Sequence, residues 1–161
     1  MTGRRGKLLS VVWAGLAWIV AGGCASYISP LQPPPYRDRI AAPYDVTWNA
    51  LIRTLAFDNV ALRAVAKDSG VIASDDFVSP IGVYADCGSM GDKPLEGEAL
   101  VTFTVFVRQN GAVTELQINS KMRTFRLVKF FGLKADPDYG CMSTTRWEPN
   151  LVDSVRTLVK E

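Results

Sequence analysis

The sequence predicts an α+β fold in which an antiparallel sheet is bracketed by an N-terminal and a C-terminal helix. Three observations carry this: apolar residues at helical spacing from Tyr44, an Asn110-Gly111 dipeptide between two alternating runs, and a second helical stripe from Leu151. In the first stripe Tyr44, Trp48, Leu51 and Leu55 share one face. Pro43, which has no N–H to leave unpaired, and Asp45, an acid near the positive end of the helix dipole, suit its start; Asp58-Asn59 suits its stop. Val60 to Ala66 then reads as a strand, Lys67 to Gly70 as a turn and Val71 to Ser74 as the return strand.

Asn110-Gly111 accepts the positive φ angles of a tight two-residue turn. With that pair at the tip, Gln109 faces Ala112, Val107 faces Thr114, Val105 faces Leu116, Phe103 faces Ile118 and Val101 faces Ser120. The other side pairs Thr104 with Gln117, Thr102 with Asn119 and Leu100 with Lys121, so one face is expected to be covered and one wet. The last stripe, Leu151, Val152, Val155, Leu158 and Val159, follows Thr145-Arg146-Trp147-Glu148, which has the form of a capping box. Pro149 falls in its first turn, where a missing N–H costs little. Trp48 and Trp147 read as core residues of the two helices rather than as ligand-stacking groups.

Ahead of this domain the chain begins with Arg4, Arg5 and Lys7, continues with an uncharged apolar stretch from Leu8 to Val20, and places Ala21-Gly22-Gly23 immediately before Cys24. This resembles a bacterial lipoprotein signal. The resemblance implies that the leader, 1–23, is cut off and that Cys24 becomes a diacylated first residue, held in a bilayer without a transmembrane helix. Two other readings stay open. One is an uncleaved anchor, since no charge occurs between Lys7 and Arg37 and about 20 apolar residues span a bilayer. The other is ordinary secretory cleavage after the same small residues. Against the anchor, the apolar run ends at Val20, and Gly22, Gly23, Ser26, Ser29 and Pro30 follow. Ala25 stands where many inner-membrane lipoproteins carry aspartate, so the resemblance implies the outer membrane with the domain in the periplasm; the inner membrane is the alternative.

With Cys24 assigned to lipid, Cys87 and Cys141 remain as an even pair. In an oxidising compartment they are expected to form a disulfide, whose closed loop would stabilise by roughly 4 kcal/mol on the chain-entropy model; the alternative is two buried free thiols. Charge changes as well. The whole chain has eighteen basic and sixteen acidic residues, net +2, but without Arg4, Arg5 and Lys7 the balance is fifteen against sixteen. That removes the compositional support for nucleic-acid binding. Residues 24–42, with Pro30 and Pro33 to Pro35, read as a lipidated N-terminus and an extended tether with a reach of up to roughly 50 Å at about 3 Å per residue. Residues 43–161 read as a single domain.

Within the domain, Tyr44-Asp45-x-x-Trp48-x-Ala50-Leu51 followed by Asp68-Ser69-Gly70-Val71-Ile72-x-Ser74-Asp75 resembles the helix-plus-hairpin opening of BamC-like lipoprotein domains, the family represented in the outer-membrane β-barrel assembly machinery. The resemblance implies a helix-grip-like fold on a lipid anchor and a part in organising the outer membrane. The matching residues determine fold and carry no catalytic role. The chain has room for one such domain rather than two.

Little in the sequence points to reaction chemistry. The chain has no histidine, the commonest general base and metal ligand, and no C-x-x-C pair, so neither a metal nor a cofactor is expected. Asp75-Asp76 reads as a solvated turn at a hairpin end, and Asp86, Asp92, Glu96 and Glu98 as an acidic loop without calcium-site spacing. Between Lys121 and Lys134 five positive charges interleave with apolar residues. Arg126, Lys129, Phe130, Phe131 and Lys134 are the candidate contacts to anionic headgroups or a partner. The preferred alternative is a strand continuing from Ile118, with Phe125 in the core, and a loop whose aromatics cover an edge. The functional expectation is a non-enzymatic, membrane-anchored lipoprotein that binds envelope proteins or helps outer-membrane assembly. The alternative is a module for lipid or another apolar small molecule. A deep apolar cavity between Trp48, Phe103 and the last helix would favour the ligand; a filled core with an exposed groove would favour protein binding.

Overall fold

A computed structural model of the chain describes residues 27–125, 128–130, 133–135 and 138–160, with residues 125–138 described in their backbone alone where they are described at all. Cys24, Arg126 and Phe131 lie outside the described residues, as do the side chains of Phe125, Lys129, Phe130 and Lys134. In chain order the elements begin with β1 (Tyr27–Ile28), β2 (Tyr36–Ile40), α1 (Tyr44–Phe57), β3 (Leu62–Ala66), β4 (Val71–Ser74) and β5 (Phe77–Pro80). Next come β6 (Ala85–Asp86), β7 (Ser89–Met90), β8 (Lys93–Pro94), β9 (Glu98–Asn110) and β10 (Val113–Phe125). The chain closes with β11 (Val128–Phe130), β12 (Leu133–Ala135), β13 (Asp138–Ser143) and α2 (Trp147–Lys160).

Eight strands form one sheet in the order β3, β4, β9, β10, β13, β6, with β5 on β9 below β4 and β2 on β10 beside β13. Every pairing between these strands is antiparallel. The fold is therefore α+β, with both helices contributing to one core on one sheet face. The hairpin β3–β4 and its Lys67–Gly70 turn form as expected. Gly70 stands at φ +66°, and a Cβ there would lie 2.1 Å from the carbonyl oxygen of Val107, whose own N–H donates to the Gly70 carbonyl at 2.7 Å.

The long hairpin β9–β10 forms, but two residues out of the expected pairing. Asn110 faces Val113, Val107 faces Leu116, Val105 faces Ile118, Phe103 faces Ser120 and Val101 faces Met122. The tip is Gly111-Ala112, with Gly111 alone at positive φ, +62°. A turn of this kind asks for a single positive φ at its first central position, which Gly111 supplies, so Asn110 stays in the ladder. Because the slip is even, every side chain keeps its face. Val101, Phe103, Val105, Val107, Leu116, Ile118 and Met122 are buried, while Thr102, Thr104, Phe106, Arg108, Glu115 and Gln117 line the open side.

Two cores lie along this hairpin. Beneath the helices, Trp48, Leu51, Leu55, Ile72, Phe103, Val105, Leu116, Ile118, Trp147, Leu151, Val152 and Val155 pack together. The rings of Phe103 and Trp147 are 4.4 Å apart. The second, smaller core holds Ala85, Cys87, Leu95, Ala99, Val101, Met122 and Cys141. It is covered by the excursion between β5 and β9. The Cys87–Cys141 disulfide sits within it, closing a separation of 54 residues. The bond joins that excursion to β13, so it fastens the excursion to the sheet.

Three further expectations change. The sheet begins before residue 43: β2 pairs with β10, and Ile40 and Ala42 are core residues, so the part of the expected tether that is described belongs to the domain. Arg37 and Arg39 hide the strand from sequence inspection because they alternate with Tyr36, Asp38 and Ile40 on an edge reached through prolines. Asp75-Asp76 is not a hairpin end. It marks the step where the chain leaves β4 and continues as β5 along the same side of β9, and the Ser74 hydroxyl fills the gap by accepting the Phe103 N–H at 2.9 Å. Nor does Thr145-x-x-Glu148 form a capping box. Thr145 has φ +58° and its N–H donates to Ser143 Oγ at 2.9 Å, while the buried Glu148 carboxylate accepts the hydroxyls of Ser120 at 2.7 Å and Ser143 at 2.9 Å.

Two stability measurements follow. Gly70→Ala should lower the unfolding free energy in urea by at least about 1–2 kcal/mol, the cost of a left-handed alanine, before the clash with Val107 is added. Replacing both Cys87 and Cys141 by alanine should cost roughly 4 kcal/mol, the chain-entropy value for a loop of this size.

Candidate functional site

On the open face, sequence alternation and strand register bring charged and aromatic residues into rows across three strands. Register places Arg39, Glu115 and Arg108 side by side on β2, β10 and β9, and Arg37, Gln117 and Phe106 in the next row but one. Together with Asn119 they border a cleft of about 940 Å³. Glu115 organises its rim: Arg39 Nη2 lies 3.1 Å from one carboxylate oxygen and Arg108 Nη2 2.7 Å from the other, and Asn110 Nδ2 donates at 2.8 Å. Arg37 Nε donates to Gln117 Oε1 at 3.0 Å, and Gln117 Nε2 passes the chain on to Asn119 at 3.1 Å.

Three guanidinium groups thus stand against one carboxylate. Although Arg39 and Arg108 are paired, their side chains remain 71% and 78% exposed, so most of their donors still face solvent. Phe106, 41% exposed, supplies an apolar patch among them. Asp38 contributes backbone only in effect, because its carboxylate is turned to the other side, accepting from the Tyr36 hydroxyl at 2.9 Å and from Arg156 at 2.6 Å. Burial, followed by that hydrogen bond, pushes the Tyr36 phenol up to about 12, so it stays protonated and donating. The pair Asp38–Arg156 also ties α2 to the edge strand β2.

A smaller groove of about 560 Å³ runs beneath Pro33 to Pro35, along β10 from Ile118 to Lys121, with Glu148 at its base. Both oxygens of Glu148 already accept a serine hydroxyl, so this carboxylate closes the seam between the two cores. Among the described residues no group of three or more acidic, cysteine or histidine side chains is arranged to hold a metal; Asp86, Asp92 and Glu96 are exposed along the excursion between β5 and β9, and Glu98 is exposed at the start of β9.

The residues singled out from sequence fall elsewhere. Cys87 and Cys141 meet as a disulfide. Lys129, Phe130 and Lys134 lie on the antiparallel pair β11–β12, which extends the end of β10 opposite the cleft, where a loop was expected. The strand itself continues from Ile118 to Phe125 as anticipated. Trp48 and Trp147 are buried core residues. Sequence reasoning passed over Arg37, Arg39, Phe106, Arg108 and Glu115. The usable signal was Phe106, an aromatic at a wet-face position of an alternating strand.

The Arg108 and Asn110 hydrogen bonds, opposed by partial burial and helped by the charges of Arg108 and Arg39, hold the Glu115 carboxyl down at about 2 from its usual 4.5. A depressed carboxyl stabilises the folded state above its unfolded value and loses that contribution as the pH falls through its folded value. Urea unfolding followed by pH should therefore show a loss of stability between about 4.5 and about 2 that is smaller in Glu115→Gln. An unchanged profile in the variant would remove Glu115 as the organiser of the rim. A scan against models of known protein families finds no match to this chain, and a search of curated proteins finds none either.

Proposed function

We propose that this chain is a lipid-anchored envelope lipoprotein whose domain is a non-enzymatic protein-binding module, with the open-face cleft as its contact surface. The observation that carries the reading is the contrast between the two sheet faces. On the covered face, Trp48, Leu51, Phe103, Trp147 and Val152 fill the space where an apolar ligand would sit, and the Phe103 and Trp147 rings are in contact. On the open face, the exposed cleft offers Arg37, Arg39 and Arg108 around Phe106. Exposed aromatic and arginine side chains in one cleft are the residue types that anchor protein contacts. The complementary partner is an acidic, partly apolar segment of another envelope protein, because guanidinium groups pair bidentately with carboxylates.

An anchor through Cys24 is consistent with the described part of the chain, in which no helix is long and apolar enough to cross a membrane. The basic and apolar residues of the leader, followed by Ala21-Gly22-Gly23-Cys24, support acylation and an outer-membrane, periplasm-facing location. No cofactor or metal enters this reading.

The acylated protein, purified from detergent with its companions identified by mass spectrometry, tests it when compared with Arg37→Glu and with Phe106→Ala. A specific protein companion should be lost by at least about tenfold in each variant, the effect of removing about 1.4 kcal/mol from a central contact. Retention of the same companion by both variants, or a small molecule bound reproducibly in its place, would sink the assignment of the cleft.

A further inference from the structure

The register that builds the cleft continues past β9 to the far end of the sheet. Arg37, Gln117, Phe106, Val71 and Ala66 stand in one row across β2, β10, β9, β4 and β3, all on the open face. Two residues further along, Asn119, Thr104, Ala73 and Ala64 form the next row on that face. From β2 to β3 the face therefore passes from guanidinium groups through Phe106 to apolar side chains. Charge divides in the same way. Arg37, Arg39, Arg108 and Lys121 stand on the β2, β10 and β9 part against Glu115. Elsewhere on the face Arg123 pairs with Asp76 at 3.1 Å, and Glu98 lies at the start of β9. At the turn end Lys67 pairs with Asp45 at 2.8 Å beside Asp68. The excess of positive charge is thus on the side of Arg37 and Arg39.

The sheet edge beside these arginines is closed to an added strand. The Arg39 N–H donates to the Asp38 carboxylate at 2.7 Å, and the Arg39 carbonyl accepts from Arg156 at 3.3 Å. Backbone groups alternate in direction along a strand, so on β2 only Arg37 still turns both of its own outward, and Pro33 to Pro35 before it have no N–H. The other end of the sheet, β3, is four strand spacings away, roughly 19 Å at about 4.8 Å each. A strand added there would miss the arginines. A segment that engages Arg37, Arg39 and Phe106 together must lie over the face. The strands beneath are already paired with one another, so that segment has to satisfy its own N–H and C=O groups, as an α-helix does. Arg37 stands two strands from Phe106, roughly 10 Å, so a helix about 10–12 Å across and centred over β9 and β4 brings one flank to it.

We infer that the open face receives an amphipathic α-helix of the partner, with its apolar stripe on Phe106, Val71 and Ala66 and its acidic flank turned to Arg37 and Arg39. This rests on the cleft being a protein-contact surface, and it adds the secondary structure and polarity of what binds there. Apolar anchors at i, i+3, i+4 and i+7 supply the stripe. Carboxylates on the flank pair with the guanidinium groups, whereas a basic flank meets like charge and is rejected.

The test uses the full chain in phosphatidylcholine nanodiscs and three fluorescent synthetic peptides about five helical turns long, roughly 27 Å, with binding to empty nanodiscs subtracted. The first carries leucines at helical spacing with glutamates along one flank, the second has lysines in place of the glutamates, and the third alternates leucine and glutamate as a strand would. The first should bind at least about tenfold more tightly than the other two. Its affinity should fall at least about tenfold in Arg37→Glu and in Ala66→Glu, each reversing or adding charge on the contacted face, and stay unchanged in Arg53→Glu on the exposed side of α1. Circular dichroism checks that each variant folds, and Arg37→Gln replaces the reversal if that one does not. Equal binding by the alternating peptide, or full affinity in Ala66→Glu, overturns the helix, while a loss in Arg37→Glu keeps the cleft as a contact surface. Binding by none of the peptides, or full affinity in Arg37→Glu, overturns the inference outright. The cleft then stands or falls on whether Arg37→Glu releases the companion purified from detergent.

Discussion

The structure depends on one ladder, the twelve registered pairs between β9 and β10 from Asn110–Val113 to Ala99–Thr124. Thirteen residues of strand extend over roughly 44 Å, whereas the fourteen residues of each helix extend over roughly 21 Å. Two helices packed together on one face therefore cannot cover such a hairpin along its whole length. They bury the half containing Phe103, Val105, Val107, Leu116 and Ile118, and the half containing Ala99, Val101 and Met122 needs a second cover.

That second cover has few large apolar side chains with which to hold itself in place. β6, β7 and β8 are two residues each, and the buried set beneath them includes Ala85 and Ala99. A covalent bond does what a larger core would otherwise do: Cys87 is tied to Cys141 of β13, and the segment 27–32 then closes over the same region through Tyr27 and Gln32. The seam between the halves is polar but satisfied, with Glu148 held by Ser120 of β10 and Ser143 of β13. A buried carboxylate at a helix start is favourably placed toward the helix dipole, and its two hydroxyl donors offset the loss of water.

The same ladder creates the cleft. Side chains alternate across a strand, so the register that directs Val105, Val107 and Leu116 into the core directs Phe106, Arg108 and Glu115 to solvent. β2 then adds Arg37 and Arg39 opposite Gln117 and Glu115. Core and candidate binding surface are in this sense two faces of one pairing, and a one-residue slip would destroy both. The two-residue difference between the expected and the observed turn destroyed neither, because only the parity of the register decides which face a side chain meets.

Periodicity alone determined the two helices, the β3–β4 hairpin, the inward set on β9 and β10, and the burial of Trp48 and Trp147, because each is a local amphipathic pattern. Cysteine count, joined to the Cys24 signal, was sufficient to pair Cys87 with Cys141. Only the tertiary structure decided that Tyr36 to Ile40 is a sheet strand, since its alternation is masked by Arg37, Asp38 and Arg39, whose partners come from distant parts of the chain: a hydrogen bond to Gln117 for Arg37, and ion pairs with Arg156 for Asp38 and Glu115 for Arg39. It likewise decided that Glu148 bonds to Ser120 and Ser143 instead of capping its own helix, and that Asp75-Asp76 steps along β9 instead of ending a hairpin. Those outcomes turn on partners tens of residues away, and a local pattern carries no information about which distant group will arrive to satisfy a charge or a hydrogen bond.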